Sequence, residues 1–155
     1  MAMMSLPDAR DWRRDLARAG RTLVFTNGVF DLLHVGHLDY LEKARALGDA
    51  LLVAINDDDS TRRYKGAGRP LVPASERARL LLALHPVTAV ISFSQPTASP
   101  LLDALQPDIY VKGGDYADKP LPERATVTAY GGQIHLIDYL PDHSTSRLIA
   151  KIKAL

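Results

Sequence analysis

The chain has 155 residues, a formal net charge of +1 and no cysteine. That balance offers no basic surface for nucleic acid or an anionic membrane, and the missing thiols exclude disulfides, thiolate metal sites and cysteine nucleophiles, which suits a reducing cytoplasm. One domain with a real core is expected at this length, with no apolar run near the ~18 residues of a membrane span and no secretory leader.

In chain order, Ser5 to Ala19 reads as a short amphipathic helix with Pro7 in its first turn and Gly20 as its stop. Leu23 to Phe25 is an apolar run, as in a strand covered on both faces. His37 to Leu47 places Tyr40, Leu41, Ala44 and Leu47 on one helical face. Leu51 to Ile55 is a second strand, Asp57 to Asp59 an acidic turn, and Ser60 to Pro73 a loop rich in Gly, Pro, Lys and Arg. Ala74 to Leu84 is a helix with leucines on one side and charges on the other. A third strand, Ala89 to Ser92, precedes a helix opened by Ser99 as cap and Pro100 as first residue. Asp108 to Val111, a helix near Glu123 to Tyr130, Gln133 to Ile137, and a last helix capped by Ser144 complete the series. Apolar strands alternating with amphipathic helices predict a parallel sheet covered on both faces.

Ligands of such sheets bind beyond the carboxyl ends of the strands, where strand order reverses. In the common doubly wound order the first and fourth strands meet there, so the segments TNGVFDLLHVGH and KGGDY converge. Their chemistry suits phosphate. Gly28 and Gly36 let backbone N–H groups approach a ligand, and Gly36-His37 opens a helix whose first N–H groups attract an anion. His34 and His37 are about one turn apart, so both rings can face one cluster of oxygens. Lys65 lies between flexible residues in RRYKGAGRP, Lys112-Gly113-Gly114 repeats the theme, and Ser144-Thr145 offers hydroxyls at a helix start. A zinc site is the weaker reading of the histidines, since no third ligand or HExxH spacing completes it. Two loop histidines with no role are the bland one. The first turn lacks GxGxxG, and neither a P-loop nor a GxSxG turn occurs.

GVFDLLHVGH resembles the signature of the nucleotidyltransferases with an HxGH motif, here His34-Val35-Gly36-His37. The resemblance runs from about Thr22 to Ile152. KGAGRPLVPASERARLL, VKGGDY and HSTSRLI are similar to the D-glycero-β-D-manno-heptose 1-phosphate adenylyltransferase branch. Val29 stands where many of those enzymes have cysteine, and Ser146 where they often have threonine, which leaves room for a different sugar phosphate.

The resemblance implies a single-domain, Rossmann-like doubly wound α/β sheet of five parallel strands with helices on both faces. Residues 1–20 would form an N-terminal helix and residues 21–155 the catalytic core. It implies transfer of AMP from ATP, with Mg²⁺, to a sugar 1-phosphate supplied by a separate sugar kinase; a homodimer is common in the family. His34, His37 and Lys65 are the implied catalytic residues. Thr26, Asn27, Gly28, Val29, Phe30, Gly36, Lys112, Gly113, Gly114, Asp115, Ser144 and Thr145 would bind nucleotide. Asp31 either touches the acceptor or Mg²⁺ or stabilises a turn, and Arg69 either grips a phosphate or is a solvated loop residue. The rival readings are a cytidylyltransferase acting on glycerol 3-phosphate or another small phosphate or phosphonate, and a non-catalytic nucleotide sensor on the same fold.

Overall fold

The computed structural model describes residues 3–114 and 119–155. Five parallel strands, β1 (Leu23–Gly28), β2 (Ala50–Asn56), β3 (Ala89–Phe93), β4 (Ile109–Gly113) and β5 (Gln133–Ile137), lie in the order β3-β2-β1-β4-β5. Strand order reverses between β1 and β4, which pair from Val24↔Ile109 to Thr26↔Val111. The expected Rossmann-like architecture is therefore the one found. Among the described residues no helix is long and apolar enough to cross a membrane.

Alternation along the strands divides the core into two layers. Leu23, Phe25, Leu52, Ala54 and Tyr110 pack against α1 (Leu6–Arg18), α5 (Ser99–Leu105) and α6 (Arg124–Ala129). Val24, Val53, Ile55, Ile109 and Val111 pack on the other face against α2 (Val35–Arg45) and α4 (Ala74–Leu82). Continuous apolar runs in β1 and β2 thus bury both faces. The edge strand β5 has no fully buried residue.

Three expectations change. The loop expected over Ser60–Pro73 begins as helix α3 (Asp58–Lys65), because the Asp57 carboxylate caps it by accepting the Ser60 N–H at 2.7 Å. Asp58 and Asp59 occupy its first turn and Arg62, Arg63 and Lys65 its last, each sign at the favourable end of the helix dipole. In α4 the sides are not leucines against charges: Arg77, Ala78 and Leu81 are buried while Leu80 is half exposed. A helical period puts positions 77 and 81 on one face and turns position 80 away. Ala98, not Ser99, is the N-cap of α5, with Pro100 in its first turn.

Candidate functional site

The segment leaving β1 brings the two histidines together. His34 is the N-cap residue of α2, which starts at Val35 rather than at His37. The two imidazoles stack with centroids 3.9 Å apart and planes 30° from parallel. Phe30, buried behind them, has its ring centroid 5.3 Å from that of His37. Gly36 makes the packing possible: a Cβ there would meet the His34 ring and the His143 Cβ at 3.0 Å.

Burial and mutual repulsion set the electrostatics of the pair. Burial, and then the charge of neighbouring His34, push the His37 pKa down to about 4. Burial followed by His143 lowers that of His34. Both rings are neutral at pH 7. The Nδ1 of His37 accepts the His34 backbone N–H at 3.4 Å, which favours the tautomer with its proton on Nε2. The Nδ1 of His34 is buried and has no hydrogen-bond partner among the described residues.

The other expected residues divide into those that face the crevice and those committed within the protein. Thr26 is fully buried; its hydroxyl is 2.6 Å from that of Tyr40, which donates to the Val111 carbonyl at 3.2 Å. It is a strut between β1, α2 and β4. Asn27 and Lys112 point to the sheet face opposite the histidines, with Lys112 Nζ 3.4 Å from the Asn27 carbonyl. Burial lowers the Lys112 pKa, Glu123 partly restores it and Lys65 lowers it further. Lys65 is the last residue of α3, not a loop residue, and its ammonium is 4.8 Å from the centre of the exposed Tyr64 ring.

Gly28 admits the Phe30 ring, which a Cβ would meet at 3.0 Å, and the Val29 carbonyl accepts from Arg77 at 2.6 Å. The Tyr139 ring lies on the Gly113-Gly114 backbone, where a Cβ at Gly113 would meet it at 2.6 Å. Gly114 adds a φ of +87°, open only to glycine without strain. Asp115 lies outside the described residues. The Ser144 hydroxyl caps α7 (Thr145–Lys153) by accepting the Arg147 N–H at 3.1 Å. Thr145 ties that helix to the site by donating to the Leu32 carbonyl at 3.1 Å.

Asp31 and Arg69 find each other at 2.5 Å. The Asp31 carboxylate also accepts the Leu71 and Val72 N–H groups at 2.9–3.0 Å. Burial would raise its pKa, yet these N–H groups and Arg69 outweigh that and hold it below the usual carboxylate range. Beside it stands Arg77, a residue that sequence reasoning missed although it ends the KGAGRPLVPASER stretch. It is 0% exposed and donates to Val72 O at 2.8 Å, Val29 O at 2.6 Å and the Asp58 carboxylate at 2.8 Å. Both groups fix the chain between α3 and α4 against the exit of β1.

Among the described residues no three His, Asp or Glu side chains are grouped to hold a metal. Asp31, three residues before His34, has both oxygens engaged. A concavity of about 610 Å³ opens at the other, amino end of the sheet. Its Arg13 is committed to Gln106 O and the Asp108 carboxylate, and nothing there resembles the histidine pair.

Comparison with known proteins agrees with this geometry. Bifunctional protein HldE of Syntrophotalea carbinolica is 50% identical over 135 residues, covering 87% of this chain and 28% of that protein. HldE of Methylococcus capsulatus is 46% identical over 151 residues, covering 97% of this chain and 32% of that protein. The chain thus spans less than a third of the length of these relatives. The crystal structure of the lipopolysaccharide core biosynthesis protein from Thermoplasma volcanium superposes with a TM-score of 0.62 at 28% identity, covering 78% of this chain and 98% of that one. The cytidylyltransferase-like family model matches residues 25–148, from inside β1 to inside α7. With both segments of the crevice inside that match, the protein belongs to the cytidylyltransferase-like family of nucleotidyltransferases.

Proposed function

We propose that the protein transfers AMP from ATP to D-glycero-β-D-manno-heptose 1-phosphate, giving ADP-heptose and pyrophosphate. The observation that carries the reaction type is the stacked histidine pair at the β1/β4 switch point, held neutral by burial, with a buried His34 Nδ1 that has no partner among the described residues. The choice of sugar rests on the KGAGRP, VKGGDY and HSTSRLI stretches and on 50% identity to an HldE protein.

A phosphate oxygen of the acceptor attacks the α-phosphorus, a P–O bond forms, and the bond to the bridging oxygen breaks as pyrophosphate leaves. The nucleophile is already ionised at neutral pH, so no general base is required. What remains is alignment and neutralisation of growing negative charge. His34 and His37 donate to the phosphates, and Lys65 swings from Tyr64 toward the reacting group. Gly28, Gly36, Gly113 and Gly114 admit the nucleotide, with Ser144 and Thr145 at the start of α7. Thr26 and Phe30 support from behind, and Asp31 and Arg69 act by fixing the loop between α3 and α4 at the exit of β1. Mg²⁺, bound with ATP, would supply further neutralisation of phosphate charge beside that of the histidines and Lys65. A sugar kinase must supply the acceptor, and the cytoplasm, where ATP is held, is the compartment this chemistry needs.

The test is pyrophosphate release with Mg²⁺ and each nucleoside triphosphate, paired in turn with heptose 1-phosphate and glycerol 3-phosphate. Release with ATP and the heptose is the expected result. Release only with CTP and the small phosphate would move the protein to the cytidylyltransferase branch. Nucleotide binding without release would favour a sensor.

A further inference from the structure

The α5/α6 face of the crevice holds a buried carboxylate that the reaction above does not use. Glu123, the N-cap residue of α6, is 4% exposed. From the described residues it takes one hydrogen bond, the Ala98 N–H on Oε1 at 3.2 Å, and it enters no ion pair with them. Its other oxygen, Oε2, accepts nothing from them. The residue is nearly enclosed, yet Oε2 is not one of the fully buried unpartnered atoms among the described residues, so it stays open to a ligand.

Its surroundings indicate which partner. Lys112, mostly buried on the same face, reaches the Asn27 carbonyl at 3.4 Å and feels the charge of Glu123. The Asn27 side-chain carbonyl is filled by the Tyr110 hydroxyl at 2.7 Å, so its amide N–H groups stay uncommitted among the described residues. One free acceptor, one cation and one amide donor therefore share this side of the sheet, while the histidines and Gly113 lie on the other. A phosphate would be repelled by the carboxylate. A ring bearing several hydroxyls, which donate and accept at once, complements all three groups.

We propose that Glu123 is a specificity residue for the acceptor, its Oε2 accepting hydrogen bonds from hydroxyls of a polyhydroxylated sugar 1-phosphate seated on the sheet face opposite His34 and His37. The inference rests on the functional reading above in taking a phosphorylated sugar as acceptor.

A merely structural Glu123 would serve only to cap Ala98, and the carbonyl of glutamine can do that equally. Glu123→Gln should therefore keep its melting temperature and its affinity for ATP. Its KM for the sugar phosphate should rise about tenfold, the cost of replacing a charge-assisted hydrogen bond by a neutral one. A second measurement does not depend on turnover. In saturation-transfer NMR, mannose 1-phosphate should receive signal from the wild-type protein and much less from Glu123→Gln, with glycerol 3-phosphate equal in both. If Glu123→Gln is unstable, Glu123→Asp, which keeps the charge but shortens the reach, replaces it in the same titration. Equal sugar binding by wild type and variant overturns the proposal, as does a wild type that binds no sugar phosphate. Glu123-dependent binding without pyrophosphate release would keep the subsite and sink the transferase reading instead.

Discussion

Asp31 and His34 stand three residues apart on the chain leaving β1, and their polar atoms are treated in opposite ways. Both oxygens of Asp31 are filled, by Arg69 and by the N–H groups of Leu71 and Val72. Arg77 alongside donates to three oxygens and exposes none of its side chain. His34 keeps a buried nitrogen with no partner among the described residues, and its stacked neighbour is held neutral by burial. Satisfied charges hold chain segments in place and have little left for a ligand. Unsatisfied groups at a helix start keep their hydrogen-bonding capacity for a ligand.

The largest expected effect breaks the satisfied side. Arg77→Ala leaves Asp58, Val29 O and Val72 O without their common donor, and removing one partner of a buried pair typically costs about 3–5 kcal/mol. Urea unfolding should show a loss toward the lower end of that range, because Asp58 retains access to water. An unchanged midpoint would mean that the cluster does not hold the loop.

The next effect falls on the unsatisfied side and should spare the fold. His37→Ala is expected to lower turnover by ~10²–10³, or about 2.7–4 kcal/mol, as for other donors aimed at developing charge. The melting temperature should be kept. A drop below about tenfold would fall short of that range and count against the assigned role.

The smallest effect concerns protons. The pKa of His37 falls from an ordinary 6.5 to about 4 in the folded protein. Between those values the unfolded chain binds more protons, so stability contributed here falls as pH drops from 6.5 toward 4. The slope of melting temperature against pH over that window should be shallower in His37→Gln than in the wild type. Identical slopes would place the ring in water rather than in the packed pair.

The strands and the histidine pair were legible because their signals are local. Apolar runs in β1 and β2 mark strands covered on both faces, and HVGH places two rings one turn apart at a helix start. Helix α3 was not legible by periodicity: it buries only Ser60 and Thr61, so no apolar stripe marks it, and the capping aspartate was its sole sign. Arg77 and Glu123 were hidden for a different reason. Arginine and glutamate are surface residues by default, and nothing in a sequence shows which of them a fold will enclose. Lys65 was placed correctly next to its glycines but on the wrong element, since a helix may end on the residue before a glycine.

The division of polar groups between the two sheet faces has a stereochemical consequence. Lys112, Asn27 and Glu123 lie on one side of the β1/β4 gap, His34 and His37 on the other. On the placement proposed above, with the acceptor on the first side and the departing pyrophosphate on the second, the α-phosphorus would sit over the strand ends between them, entering and leaving oxygens roughly in line. A single such displacement turns the phosphorus inside out, so an α-phosphate made chiral by isotopes or sulfur would emerge with its handedness inverted.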